Sequence, residues 1–252
     1  GRAELDLVFV VDVSPSMASM DLRPDRLTAA RDFIRRYLAD GGDGASGASV
    51  GIVAFGGSAA LACPPTTDYA TLAGRLEALA PGMYGDGTAI GQGLALAFRH
   101  LSTGSGSRKV AVLLTDGEDN VGLVDPTAAA SAFARAGAGL VVLGLGTRGD
   151  VPFRYTDPST GEVLSGSYRS EYDESALSAL ARAAGGAFLP TPDEEALARA
   201  LPALGRAGGQ LSVRPSGSLS LRRPVGRELV LLALALAGFG WAVRRLWFGG
   251  VA

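Results

Sequence analysis

The run Leu5-Asp6-Leu7-Val8-Phe9-Val10-Val11-Asp12-Val13-Ser14-Pro15-Ser16-Met17 decides the fold. Residues 5–13 are nearly continuous apolar and β-branched, the pattern of a strand buried on both faces of a parallel sheet. Where that strand gives out, a carboxylate and two hydroxyls follow on alternate residues: Asp12, Ser14 and Ser16. Three short oxygen ligands converging on one point suit a small hard cation such as Mg²⁺. The plainer account is a serine-rich turn capping the next helix, and D-x-S-x-S is short enough to arise by chance. Its meaning depends on what the rest of the chain brings beside it.

Working outward, Arg23-Pro24-Asp25 opens a helix with Leu27, Ala30, Ile34 and Leu38 on one face, Pro24 fitting its first turn. Ser49 to Phe55 and Ala59 to Cys63 read as strands joined in a tight hairpin by Gly56-Gly57-Ser58, and Pro64-Pro65 ends the second. Thr67 or Asp68 caps a helix to about Ala80. A flexible glycine loop, Pro81 to Gly87, then delivers Thr88 to the head of a helix over Ala89 to Leu101. Arg108 to Thr115 is a second buried strand, ending at Asp116.

Asp125-Pro126 caps a helix to about Gly137, and Gly139 to Leu145 is a further strand. Residues 147 to 172 form a polar insertion with a small hairpin around Asp157 to Gly161. A helix over Asp173 to Ala184, an edge strand over Ala187 to Leu189 and a helix over Pro192 to Ala207 follow. Alternation at these lengths predicts an α/β fold with a doubly wound, mostly parallel six-stranded sheet.

At 252 residues and 47% hydrophobic content the chain can bury a large core. A net charge of −2 and no basic stripe in the first 200 residues exclude a nucleic-acid surface. Cys63 is alone, so no intrachain disulfide is available. His100 is the only histidine and sits toward a helix C-terminus, which argues against His-rich zinc sites and a Ser-His triad with Ser14 or Ser16. Gly144 to Gly149 spells G-x-G-x-x-G but follows the fifth strand and precedes no helix, so it is set aside as a dinucleotide fingerprint. Arg148-Gly149-Asp150 is a three-residue adhesion tripeptide read as chance, and Glu118-Asp119 could tune a metal or contact a partner, with a solvated loop as the default. Met17, Met20 and Met83 are candidates for rim contacts, with core or chance as the default.

Residues 208–227, rich in Gly, Ser, Pro and Arg, read as a linker after a domain over 1–207. Leu229 to Val243 then runs 15 residues without a charge. As a helix that is about 22 Å, short of a bilayer core of roughly 30 Å. Extension through Leu246, Trp247 and Phe248, with Arg244 and Arg245 snorkelling, completes a span, so 228–248 is expected to be a transmembrane helix with a short tail at 249–252.

Ligands of open α/β sheets bind beyond the carboxyl ends of the strands, at the point where strand order reverses. In the order 3-2-1-4-5-6 that crevice lies between the first strand, ending at Asp12, and the fourth, ending at Asp116. Thr88 enters from the same edge. Asp12, Ser14, Ser16, Thr88 and Asp116 thus make five oxygen donors. Two carboxylates nearly neutralise a divalent ion and leave a coordination position open, which favours Mg²⁺ or Mn²⁺ over Ca²⁺.

The same residues resemble the metal-ion-dependent adhesion site of von Willebrand factor A domains: D-x-S-x-S, then the Thr of Gly87-Thr88, then the Asp of Thr115-Asp116-Gly117. The resemblance covers about residues 5 to 205. It extends to Cys63-Pro64-Pro65-Thr66-Thr67-Asp68, Asp86 to Gly91 and Leu113 to Asn120, pointing to the bacterial membrane-anchored aerotolerance type (BatA/BatB-like), encoded with MoxR-type AAA+ ATPases. It implies a non-enzymatic module whose five residues bind the metal, some through water, and whose open position takes a carboxylate from a partner protein. It also implies one antiparallel edge strand, membrane helices upstream of Gly1, an extracytoplasmic A domain, sibling A-domain membrane proteins and assembly or envelope-stress roles in the bacterial cell membrane. Arginines flanking the apolar segment, counted alone, would put the domain in the cytoplasm; upstream helices would set the orientation instead. Pro15 departs from the Gly common at that position without touching a ligand. Two other functions suit the residues: a Mg²⁺-dependent hydrolase or phosphatase, against which Ser14 stands where a second Asp would be wanted, and a membrane scaffold with a purely structural metal.

Overall fold

The computed structural model describes residues 5–39, 47–157 and 160–210, without the side chains of 203 and 205–210. The centre of the sheet is β1, Leu5–Asp12, with every residue buried. It pairs in parallel with β2, Ser49–Phe55, on one side and with β4, Arg108–Thr115, on the other. β3, Ala59–Thr66, is the antiparallel edge beside β2. On the far side β5, Gly139–Leu145, pairs in parallel with β4, and β8, Ala187–Thr191, with β5. The order β3-β2-β1-β4-β5-β8 is the expected doubly wound arrangement, with β6, Gly149–Thr156, and β7, Val163–Ser170, set apart as a two-stranded antiparallel hairpin.

Strand residues alternate between two cores. Leu5, Leu7, Phe9 and Val11 face a cluster with α1, Arg26–Ala39, α2, Tyr69–Glu77, and α6, Glu194–Gln210. Val8 and Val10 face α3, Ile90–Thr103, α4, Pro126–Ala136, and α5, Glu174–Ala183. Both faces being covered is why these strands read as unbroken apolar runs. Asp12 shares the parity of Val8 and Val10, so its carboxylate lies on the α3 side of the sheet, where Thr88 arrives.

Several boundaries differ from expectation. β3 continues through Pro64-Pro65 to Thr66, because an edge strand needs no donor on its outer side. Pro24 precedes α1, whose first turn is capped by Asp25 accepting from the Thr28 amide at 2.7 Å and the Thr28 hydroxyl at 2.9 Å. Asp68 caps α2 through the amides of Ala70 and Thr71, and that helix stops at Glu77 rather than Ala80. α6 continues past Ala207 to Gln210. The remainder of the expected linker, the segment 228–248 and the tail 249–252 lie outside the described residues. Among the described residues, no helix is long and apolar enough to cross a membrane.

Candidate metal centre

Asp12 closes β1 and is completely buried. Its Oδ1 accepts from the Ser14 amide at 2.8 Å and its Oδ2 from the Thr115 hydroxyl at 2.6 Å. The chain then bends into a short 3₁₀ turn, Pro15–Ala18, which brings the Ser14 and Ser16 hydroxyl oxygens within 2.9 Å of each other. Burial first, and then the negative charge of Asp116, push the Asp12 carboxyl up to about 7, against the opposing pull of its hydrogen bonds. A buried carboxylate held in this way favours a positive charge nearby.

Asp116, also completely buried, follows β4 by one residue. One of its oxygens, Oδ2, accepts from the Arg26 guanidinium at 2.9 Å, while Oδ1 has a longer contact of 3.4 Å with the Glu118 amide. Arg26 is the site residue that the sequence did not disclose. It is completely buried and reaches Asp21 by two bonds of 2.8 and 2.7 Å, Ser170 at 2.9 Å and the Thr147 carbonyl at 3.3 Å. Burial works against the Asp21 carboxylate, yet the Arg26 bonds and charge and the Thr147 contacts bring it below the ordinary carboxylate range. Three carboxylates, Asp12, Asp21 and Asp116, against one guanidinium leave this cluster two negative charges, the complement of a divalent ion. Asp116 shares its charge with Arg26, so with all three carboxylates ionised the two negative charges belong to the cluster and not to Asp12 and Asp116 alone. One signal was available, since a cation in the first turn of a helix opposes the helix dipole and calls for a local reason.

Thr88 is buried at the foot of α3. Its amide donates to Asn120 Oδ1 at 2.9 Å, and its carbonyl accepts from the amides of Asn120 and Val121, each at 3.2 Å. Asp119 accepts from the Ile90 amide at 2.9 Å, satisfying an open donor of α3. The loop before Thr88, read from its glycines as flexible, is fastened instead. Gly82 donates to the Val13 carbonyl at 2.7 Å, Ser58 to Tyr84 at 3.1 Å and Ala89 to Gly56 at 2.8 Å. The turn between β2 and β3 packs directly on that loop: a Cβ on Gly57 would lie 2.3 Å from the Asp86 carbonyl oxygen.

Glu118 is half-buried rather than solvated. It accepts from the Tyr168 hydroxyl and, at 2.7 Å, from the Glu171 amide, so it ties the hairpin to the loop after β4. Burial raises its carboxyl above the ordinary range, and Tyr168 opposes the shift. Ser14, Ser16 and Thr88 consequently line one pocket of about 330 Å³ whose opposite wall is the hairpin, through Tyr155, Leu164 and Tyr168. Ser19, completely buried, lines the same pocket, and its hydroxyl has no hydrogen-bond partner among the described residues. Met17 belongs to the core, whereas Met20 and Met83 are exposed. His100 lies in the last turn of α3.

Two buried carboxylates at adjacent strand ends and three hydroxyls beside them are a donor set that fits a hard divalent ion.

This fold and donor set define a class. Residues 7–118 match the family of von Willebrand factor type A domains. Within the class it is similar to an aerotolerance-related membrane protein from Bacteroides fragilis, at 27% identity and a TM-score of 0.67, covering 82% of this chain and 99% of that one. BatB from Bacteroides thetaiotaomicron gives 25% identity and a TM-score of 0.69, over 82% and 98% of the two chains. An uncharacterized protein from Borreliella burgdorferi is 26% identical over 193 residues, 76% of this chain and 55% of its own length. A UPF0353 protein from Mycolicibacterium paratuberculosis is 35% identical over 141 residues, 52% of this chain and 40% of its own. The chain thus spans about half the length of the curated relatives it matches. The fold is shared with proximal thread matrix protein 1 of the mussel byssus, described with a zinc-occupied MIDAS motif, at 22% identity and a TM-score of 0.61.

Proposed function

We propose that this chain is a binding module whose divalent cation, Mg²⁺ or Mn²⁺, is held by Asp12, Ser14, Ser16, Thr88 and Asp116 and takes a carboxylate from a partner protein. One observation carries the reading. Ser14, Ser16 and Thr88 line one pocket, at the strand ends where Asp12 and Asp116 lie buried and hydrogen-bonded from behind. The protein supplies polarisation and position; the ion, when bound, supplies a Lewis-acidic coordination site. Asp12 and Asp116 provide the charge, the three hydroxyls complete the donor set, and Arg26 fixes the orientation of Asp116. The mussel protein's zinc-occupied motif is a precedent for a divalent ion on this fold.

Likeness to an aerotolerance-related membrane protein supports membrane anchoring, which we assign to 228–248. An extracytoplasmic domain, sibling A-domain proteins as neighbours and service to a MoxR-type ATPase in assembly or envelope stress are further proposals that follow from the sequence resemblance. The module is read as non-enzymatic. The test is affinity purification of the full chain from membranes in Mg²⁺ and in EDTA, with Asp12→Asn alongside. Capture of an acidic partner in Mg²⁺ alone, lost in Asp12→Asn, is the expected result. Equal capture in EDTA would end the reading.

A further inference from the structure

The hairpin is amphipathic in a way that the metal site alone does not require. Val151, Phe153 and Tyr155 on β6 stand opposite Tyr168, Gly166 and Leu164 on β7. These positions are buried or half-buried apart from Gly166, whereas their neighbours Pro152, Arg154, Ser165, Ser167 and Arg169 are exposed. The period-2 pattern therefore puts an apolar, aromatic face toward the pocket that Ser14, Ser16 and Thr88 line. The hairpin is held over it by the Glu118 clamp, by the Ser19–Phe153 bridge and by the Met20 amide on the Pro152 carbonyl at 2.8 Å.

A second observation concerns the outside of the domain. Among the described residues, the exposed large hydrophobics are Met20, Met83, Val121, Leu123, Val124 and Val163. Met20 follows the carboxyl end of β1, Val121, Leu123 and Val124 follow that of β4, and Met83 belongs to the loop before α3 that Gly82 fastens to the Val13 carbonyl; Val163 lies on the outer face of the hairpin. Val121 lies against Gly87 of the pocket wall, where an added Cβ would come 2.8 Å from it. Apolar side chains gathered around one site mark a surface for protein contact. The third observation is the buried, unpartnered Ser19 hydroxyl in the pocket, which awaits a hydrogen bond from an occupant.

We propose that the pocket selects a partner segment in which an acidic residue is flanked by a large apolar or aromatic side chain. The carboxylate sits on the cation, the flanking side chain packs on Phe153, Tyr155 and Leu164, and the Ser19 hydroxyl bonds the segment's polar backbone. This rests on the carboxylate reading above and adds its specificity. A pocket of about 330 Å³ has room for one large side chain beside a carboxylate. A free small anion would leave the aromatic wall and the exposed apolar rim unused.

The test uses fluorescein-labelled Ac-Gly-Phe-Glu-Phe-Gly-NH₂ and Ac-Gly-Ser-Glu-Ser-Gly-NH₂, titrated by anisotropy against the full chain in Mg²⁺. The Phe-flanked peptide is expected to bind at least tenfold tighter, since burying one aromatic ring contributes that much or more. Leu164→Ser and Tyr155→Ser should erase the preference, and Ser19→Ala should weaken both peptides, with Mg²⁺ affinity unchanged in all three variants as the control for folding. Equal, Mg²⁺-dependent affinity for the two peptides would overturn the apolar selection and leave the carboxylate reading standing. Binding that persists in EDTA, or that a Gln-containing Phe-Gln-Phe peptide matches, would instead overturn the carboxylate reading beneath it.

Discussion

The floor and the wall of the pocket are built on different principles. The floor comes from β1 and β4, strands with both faces covered, whose carboxylates are set by the sheet register and backed by Thr115 and Arg26. The wall is a two-stranded hairpin, exposed on one face and fastened through Glu118, Ser170, Ser19 and Met20. Buried parallel strands hold charges in fixed positions at the cost of desolvation. An isolated hairpin is marginal on its own and takes its order from what it touches. In the proposed reading, metal chemistry belongs to the sheet and selectivity to the hairpin that depends on it.

Arg26 joins the two, and removing it should have the largest effect. Arg26→Met leaves Asp116 and Asp21 without their partner, at a cost of about 3–5 kcal/mol, or roughly a 10 °C loss in Tm. It should also free the hairpin at Ser170, read as faster amide exchange over residues 149–170. An unchanged Tm would break the distinction between floor and wall at its junction.

A smaller effect follows from pH. The folded Asp12 carboxyl, raised to about 7, binds a proton more tightly than the unfolded one with its ordinary value of 3.8. Its contribution to metal-free stability is therefore present at low pH and lost as pH rises through about 7. A cation takes the proton's place above that range. Mg²⁺ affinity measured by calorimetry should fall about tenfold per pH unit below 7, with proton release on binding. A flat profile between pH 5.5 and 7.5 would contradict the Asp12 assignment. Tyr168→Phe is the mildest change: losing one bond to Glu118 costs about 1 kcal/mol. Hairpin amides should exchange several-fold faster and Tm should fall by about 3 °C while Mg²⁺ affinity holds, and a matching loss of affinity would show that the wall shapes the floor.

This division also explains what the sequence discloses. Residues 5–13 and 108–115 announce buried parallel strands because both faces demand apolar side chains, and sheet topology then puts Asp116 beside Asp12. Arg26 is hidden because nothing local shows which carboxylates a helix residue will meet; its partners lie 5, 90 and 144 positions away. The hairpin is legible as a hairpin around Asp157 to Gly161, yet its position over the pocket depends on Glu118, which reads by default as solvated loop, and on Ser19, to which nothing in the sequence draws attention. The Thr88 loop was misread for a related reason. Gly82, Gly85 and Gly87 take left-handed backbone angles in a fastened loop, and in sequence they look like glycines that allow motion.

The central claim is an ion on the floor with an open position facing the wall. Mn²⁺-enhanced water-proton relaxation of the full chain tests both halves at once. The account predicts strong enhancement in the wild type, none in Asp12→Asn, which keeps the side chain's size and its acceptor for the Ser14 amide, and quenching by an acidic peptide that displaces the metal-bound water. Enhancement retained in Asp12→Asn, or bound Mn²⁺ with no exchangeable water in the wild type, would contradict it.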